Sequence, residues 1–180
     1  DNARTVTEMR FTVSLGDTAN PRQIQAAAHA MRTHDKSGPD GRCLFDDYFA
    51  RLERTEGFSE GFAVGALDLV YERHDGSFLV FDYKTDVMPG DDRPFAPEKL
   101  LAAMPDSDYP LQAMVYLVAL HRHLSATLKE SYSPHAHLGG AAYYYLRSVA
   151  LPHEDQDGVA WWRPTPEAIV EASLALGGAK

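Results

Sequence analysis

The sequence predicts an α/β domain built on a mixed β-sheet. Residues 61–86 alternate and turn back as two paired strands do. Residues 109–128 carry the long apolar spacing of a helix, and further strand patterns stand on either side of it. Strands interleaved with helices in this order give an α/β fold. The 180 residues, 44% hydrophobic, suffice for one domain with a real core, so residues 1–180 are read as a single unit.

The elements follow in order. Residues 5–15 alternate as a strand, with Glu8, Arg10 and Thr12 on one face and Met9, Phe11 and Val13 on the other. Residues 20–57 give a mixed signal and are read as a possible insertion. Within them Pro21 to Ala28 could open a helix, Gly38-Pro39-Asp40-Gly41 is a turn, and Leu44, Tyr48 and Leu52 have helical spacing. After the 61–86 hairpin comes a polar loop centred on Pro89-Gly90-Asp91-Asp92, then a short helix near 97–104. Asp108 is the expected N-cap of the long helix, with Pro110 in its first turn. Residues 140–149 and 159–163 read as strands, and Thr165 is the expected N-cap of a final helix.

The hairpin concentrates the chemistry. Its turn is His74-Asp75-Gly76, a loop that pairs Arg73 with Ser77 and therefore sets Asp68 across from Asp82. Alternation puts Asp82 and Lys84 on one face and turns Tyr83 away. The apolar run Phe78 to Phe81 marks a buried central strand, and charges at the end of such a strand are costly unless paired or bound to metal. Two carboxylates and a lysine on one patch suit phosphodiester hydrolysis: hard oxygens hold Mg²⁺, and the ammonium orients water or stabilises charge on the phosphate. The competing reading is an edge hairpin with solvated charges. On the long helix, Gln112 and Tyr116 stand four apart and project together. His121 and His123 are two apart and point in different directions, as surface or core-edge residues would. His135-Ala136-His137 lies in an expected loop and is a weak metal candidate.

Composition excludes several classes. One cysteine, Cys43, forms no internal disulfide or zinc cluster and suits a reducing cytoplasm. No apolar run approaches the ~18 residues of a membrane span. No signal peptide is expected, and the sequence has no glycine-rich loop ending in Lys-Ser or Lys-Thr. The net charge of −9 argues against strong autonomous DNA binding, because phosphate contacts dominate such affinity. The first residue is Asp, so a processed product or a piece of a longer chain is expected.

An Asp on one strand, Asp-x-Lys on the next and Gln-x-x-x-Tyr on a helix resemble the core of the PD-(D/E)xK nucleases. The resemblance is closest to the RecB type, the C-terminal nuclease domain of the beta subunits of bacterial exodeoxyribonuclease V. Glu8 to Phe11, Gly61 to Val70, Asp82 to Thr85, Tyr109 to Tyr116, Ala119 to Arg122, and Gly139-Gly140 with Tyr143 to Arg147 carry it. It implies a restriction-endonuclease-like mixed central sheet flanked by helices. Asp68, Asp82 and the backbone carbonyl of Tyr83 would ligate Mg²⁺, with Mn²⁺ a substitute and Ca²⁺ an inhibitor. Lys84 would be the catalytic lysine, and Gln112 and Tyr116 would line the site. Glu8 is a further candidate, equally readable as a charge on a solvated strand face. The family carries a metal-ligating His on a helix before the Glu-bearing strand, and that helix is expected to lie outside this sequence.

The implied function is a Mg²⁺-dependent DNA nuclease domain that cuts strands fed by a helicase, beside subunits of RecC and RecD type, in double-strand break repair and recombination. The alternatives are a nuclease-fold docking module with an incomplete metal site, and an unrelated metal-dependent phosphoesterase acting on small esters.

Overall fold

Strand β3 (Phe78–Lys84) is the centre of a five-stranded sheet, and the rest of the chain is arranged around it. The fold is seen in a computed structural model that describes residues 4–16, 22–55, 61–90, 93–150 and 157–177. Pro21, Asp91 and Asp92, named above in a helix start and a loop, lie outside the described residues.

The sheet order is β1 (Thr5–Gly16), β2 (Gly61–Glu72), β3, β4 (Leu138–Tyr145) and β5 (Val159–Trp162). Only β3 and β4 run parallel; the other neighbours are antiparallel, so the sheet is mixed as expected. A parallel pair needs a long crossover. Here it contains α3 (Pro97–Ala103) and α4 (Tyr109–Leu128). Before β2 come α1 (Gln23–His34) and α2 (Asp46–Arg54); after α4 come the single turn α5 (Pro134–His137) and, beyond β5, α6 (Pro166–Ala175).

Residues Ala113 to Leu120 of α4 are all buried, so the middle of that helix is covered on every side, while its last turns reach the surface. It packs on β1 and β4 and against α6. Helices α1 and α2, from the segment set apart as a possible insertion, contribute Ile24, Met31 and Phe49 to the same core. Strand β3 buries Leu79 and Val80, as its apolar run requires.

Several local expectations are corrected. Asp108 precedes α4 but does not cap it: its backbone is left-handed (φ 55°), and its side chain accepts from the Tyr48 hydroxyl at 2.9 Å. Thr165 makes no side-chain cap either; its hydroxyl donates to the His34 carbonyl at 2.6 Å. The strand expected over 140–149 ends at Tyr145 and gives way to a 3₁₀ turn, Leu146–Ala150. His135 and His137 sit on the short α5 rather than in a loop, with His135 on Glu167 and His137 on Ser133. His121 is a core-edge residue, its Nδ1 2.7 Å from the Tyr132 hydroxyl.

Candidate active site

The hairpin turns as its sequence requires. The Arg73 N–H donates to the Ser77 carbonyl at 2.8 Å, and Gly76 takes the left-handed backbone (φ 81°) that a side chain would strain. The register runs from Glu72 opposite Phe78 to Leu69 opposite Phe81, so Asp68 is next in line with Asp82. The strand pairing stops there. The Asp68 carboxylate takes over the next backbone donor, accepting the Tyr83 N–H at Oδ2 (2.9 Å). Its other oxygen has no hydrogen-bond partner among the described residues.

Asp82 is 5% exposed and Lys84 nearly as deep. The Lys84 ammonium lies 2.6 Å from Asp82 Oδ2 and donates to Gln112 Oε1 at 2.9 Å. Gln112 Nε2 donates to the Tyr116 hydroxyl at 2.9 Å, and Tyr116 donates to Asp82 Oδ1 at 3.1 Å. Four side chains thus close a ring, each polar group oriented by the next. Helix α4 contributes two of them because residues four apart share a face. Breaking one partner out of a buried ion pair costs about 3–5 kcal/mol, so the ring also holds the strand end to the helix.

Two residues outside the expected site complete it. The Tyr109 ring centre is 4.0 Å from Lys84 Nζ and that of Tyr143 is 5.0 Å away, the two rings stacking at 5.3 Å. Such contacts to a desolvated ammonium are worth on the order of 1–2 kcal/mol. The Tyr109 hydroxyl donates to the Asp86 carboxylate, 3.0 Å from either oxygen, and Tyr143 donates to the Tyr109 carbonyl at 3.1 Å. Tyr109 was legible in principle, standing three before Gln112 on the same helix face. Tyr143 is brought in only by the parallel register that sets it beside Asp82.

The electrostatics follow from burial. Desolvation raises the Asp82 pKa; hydrogen bonds and charge from Lys84 oppose it, Asp68 adds to it, and the Tyr116 hydrogen bond lowers it. Burial pushes Tyr109 up to about 12, with Asp86 adding to the shift. Burial and then Asp82 raise Tyr116 further still. Both phenols therefore stay protonated at neutral pH and donate the hydrogen bonds to Asp86 and Asp82.

Glu8 is not brought into this ring. The β1–β2 register sets it opposite Asp68, but pairing skips it, its backbone is left-handed (φ 53°), and its side chain is exposed. The donor set that remains is two carboxylates, with lone pairs free on both. No group of three or more His, Cys, Asp or Glu side chains suited to a metal occurs among the described residues. Mg²⁺ is commonly held by one or two carboxylates while keeping several waters, so these residues fit that ion.

Residues 18–172 match the PD-(D/E)XK nuclease superfamily. The chain belongs to this superfamily. The match includes α1 and α2, which the family resemblance read from the sequence had left aside. The chain is 34% identical over 170 residues to the RecBCD enzyme subunit RecB of Haemophilus influenzae, covering 94% of this chain and 12% of that protein. It is 37% identical over 117 residues to RecB of Mycobacterium tuberculosis, covering 62% of this chain and 10% of that one. The Escherichia coli RecB is 36% identical over 109 residues, covering 61% and 9%. The chain spans about a tenth of the length of these RecB relatives. No helix among the described residues is long and apolar enough to cross a membrane.

Proposed function

We propose that this chain is the Mg²⁺-dependent exodeoxyribonuclease domain of a RecBCD-type helicase-nuclease, C-terminal in the longer protein. It hydrolyses DNA phosphodiester bonds during double-strand break repair and recombination in the cytoplasm. The observation that carries the reading is the closed Lys84–Gln112–Tyr116–Asp82 ring beside Asp68, in a nuclease-superfamily chain whose relatives are RecB subunits.

Asp68, Asp82 and the Tyr83 carbonyl would hold the ion, with Mn²⁺ able to replace Mg²⁺ and Ca²⁺ expected to inhibit. When bound, the ion supplies Lewis-acid stabilisation of the phosphoryl oxygens and eases loss of a proton from the attacking water. The chain's own side chains do the rest. Lys84 spends two donors on Asp82 and Gln112 and keeps a third for a phosphate oxygen or the water. Its charge offsets the negative charge that develops as water adds to phosphorus and the opposite P–O bond breaks. Gln112, Tyr116 and the two tyrosine rings fix the ammonium, so that it need not reorganise. Glu8, exposed on the edge strand between the Thr7–Leu69 and Met9–Leu67 pairs, would be a further candidate to approach the ion. The net charge of −9 assigns the grip on DNA to other parts of the assembly, with subunits of RecC and RecD type delivering single strands.

One observation favours a second reading, a nuclease-fold docking module that is inactive in isolation: among the described residues no group of three or more His, Cys, Asp or Glu side chains suited to a metal converges. Calorimetric titration of Mg²⁺ and Mn²⁺ into the chain separates the two. The nuclease reading expects saturable binding, weakened at least about tenfold in Asp68→Asn and Asp82→Asn, since each removes a charged ligand. Absence of binding of either ion at millimolar concentrations would leave the docking module.

A further inference from the structure

Beside the catalytic ring lies a groove of about 360 Å³, between the β1–β2 edge and the first turns of α4. Its walls are Phe11, Leu111 and Val115, and its inner rim is Tyr109, Gln112 and Tyr116, which also belong to the site. We propose that this groove receives an unstacked base of single-stranded DNA next to the phosphate being cut. The proposal rests on the nuclease reading, which already has single strands delivered, and adds to it a subsite for the base.

Three observations point to a base. The volume falls within the roughly 300–1,000 Å³ of ligand pockets, and the lining is mostly apolar. Among the described residues no Lys, Arg or His lines the groove, so it offers no cation to a phosphate. Asp108, the charged residue of that described lining, already accepts from Tyr48. It is also continuous with the catalytic ring through Gln112 and Tyr116. A strand whose phosphate sits at Asp68 and Asp82 must place the adjoining nucleoside within a few ångströms, and the base is the part of that nucleoside with an apolar face.

The Phe11 wall is an aromatic ring held in place by its neighbours. The Phe11 ring meets Tyr116 edge to face, centres 5.5 Å apart. It rests on Gly65, where an added Cβ would come within 3.0 Å of the Phe11 Cζ. Any larger residue at position 65 would press the ring into the groove. A base in a duplex is paired and stacked and cannot enter without being flipped out, so the groove selects single strands.

The test is binding without metal, so that its outcome does not depend on cleavage. Fluorescence anisotropy compares three ligands of equal length in chelator: a short single strand, the same sugar-phosphate chain made wholly abasic, and the duplex. The expected result is about tenfold tighter binding of the base-bearing strand than of the abasic strand or the duplex, about 1.4 kcal/mol from base stacking. In Leu111→Gln that gap should shrink to less than about threefold. Equal binding of the base-bearing and abasic strands, no binding of the single strand, or an undiminished gap in folded Leu111→Gln would each overturn the proposal. Photo-cross-linking of a 5-iodouracil strand to the unaltered chain gives a second readout. Adducts on the peptides bearing Phe11 or Tyr109 support the groove, and adducts confined to other peptides refute it. A chain that binds by this pattern yet neither holds Mg²⁺ nor cuts DNA would sink the nuclease reading and leave the base pocket standing.

Discussion

Asp82 is where the chain's folding and its proposed chemistry meet most closely. A carboxylate holds a cation only when ionised, and burial raises this one above its ordinary value of 3.8. Metal affinity is therefore present above the raised value and lost as pH falls through it, sooner than an exposed carboxylate would allow. The Tyr116 hydroxyl favours the ionised form. Tyr116→Phe removes that donor, so the pH midpoint for Mn²⁺ binding should move upward. Titrations between about pH 8 and about pH 5 would reveal it, and an unchanged or lowered midpoint would contradict the assignment. The sequence made Asp68, Asp82, Lys84, Gln112 and Tyr116 legible because period-two and period-four spacing are local. It could not place Tyr143, which reaches Lys84 from a strand over fifty residues away, and it could not foresee the left-handed backbone that keeps Glu8 out of the ring.

At the scale of elements, the ends of α1 and α6 are tied by one buried residue that nothing in the sequence singled out. Asp35, fully buried after α1, accepts from the Ser37 N–H at 3.0 Å, the Ser37 hydroxyl at 2.8 Å and the Thr165 N–H at 3.1 Å. Trp162 donates to the same Ser37 hydroxyl at 3.1 Å, linking β5 to the knot. Asp35→Ala would leave two backbone donors without an acceptor and is expected to cost about 3 kcal/mol of stability. Asp35→Asn keeps an acceptor and should cost less. Denaturant unfolding measures both, and a loss below about 1 kcal/mol in Asp35→Ala would contradict this account. The helices and strands themselves were mostly readable, since burial follows their apolar spacing. The caps were not. Asp108 and Thr165 have suitable side chains for capping, but tertiary partners, Tyr48 and the His34 carbonyl, take them instead.

At the scale of the whole molecule, the sheet order explains why the site is where it is. Strand β3 is flanked by an antiparallel β2 and a parallel β4, so Asp68 comes from one neighbour and Tyr143 from the other. The crossover between β3 and β4 supplies the helix that carries Gln112 and Tyr116. Where β2 and β3 cease to pair, the Asp68 carboxylate accepts the Tyr83 N–H in place of the ladder, while Asp82 stays paired to β4. The central claim is that this junction performs phosphodiester hydrolysis. It is tested most directly by degradation of end-labelled single-stranded DNA in Mg²⁺ by the chain, Asp82→Ala and Lys84→Ala. Cleavage by the parent, reduced at least about 100-fold in each folded variant, is the predicted result. Cleavage at parental rates by either variant, or none by a parent that binds Mg²⁺, would contradict it.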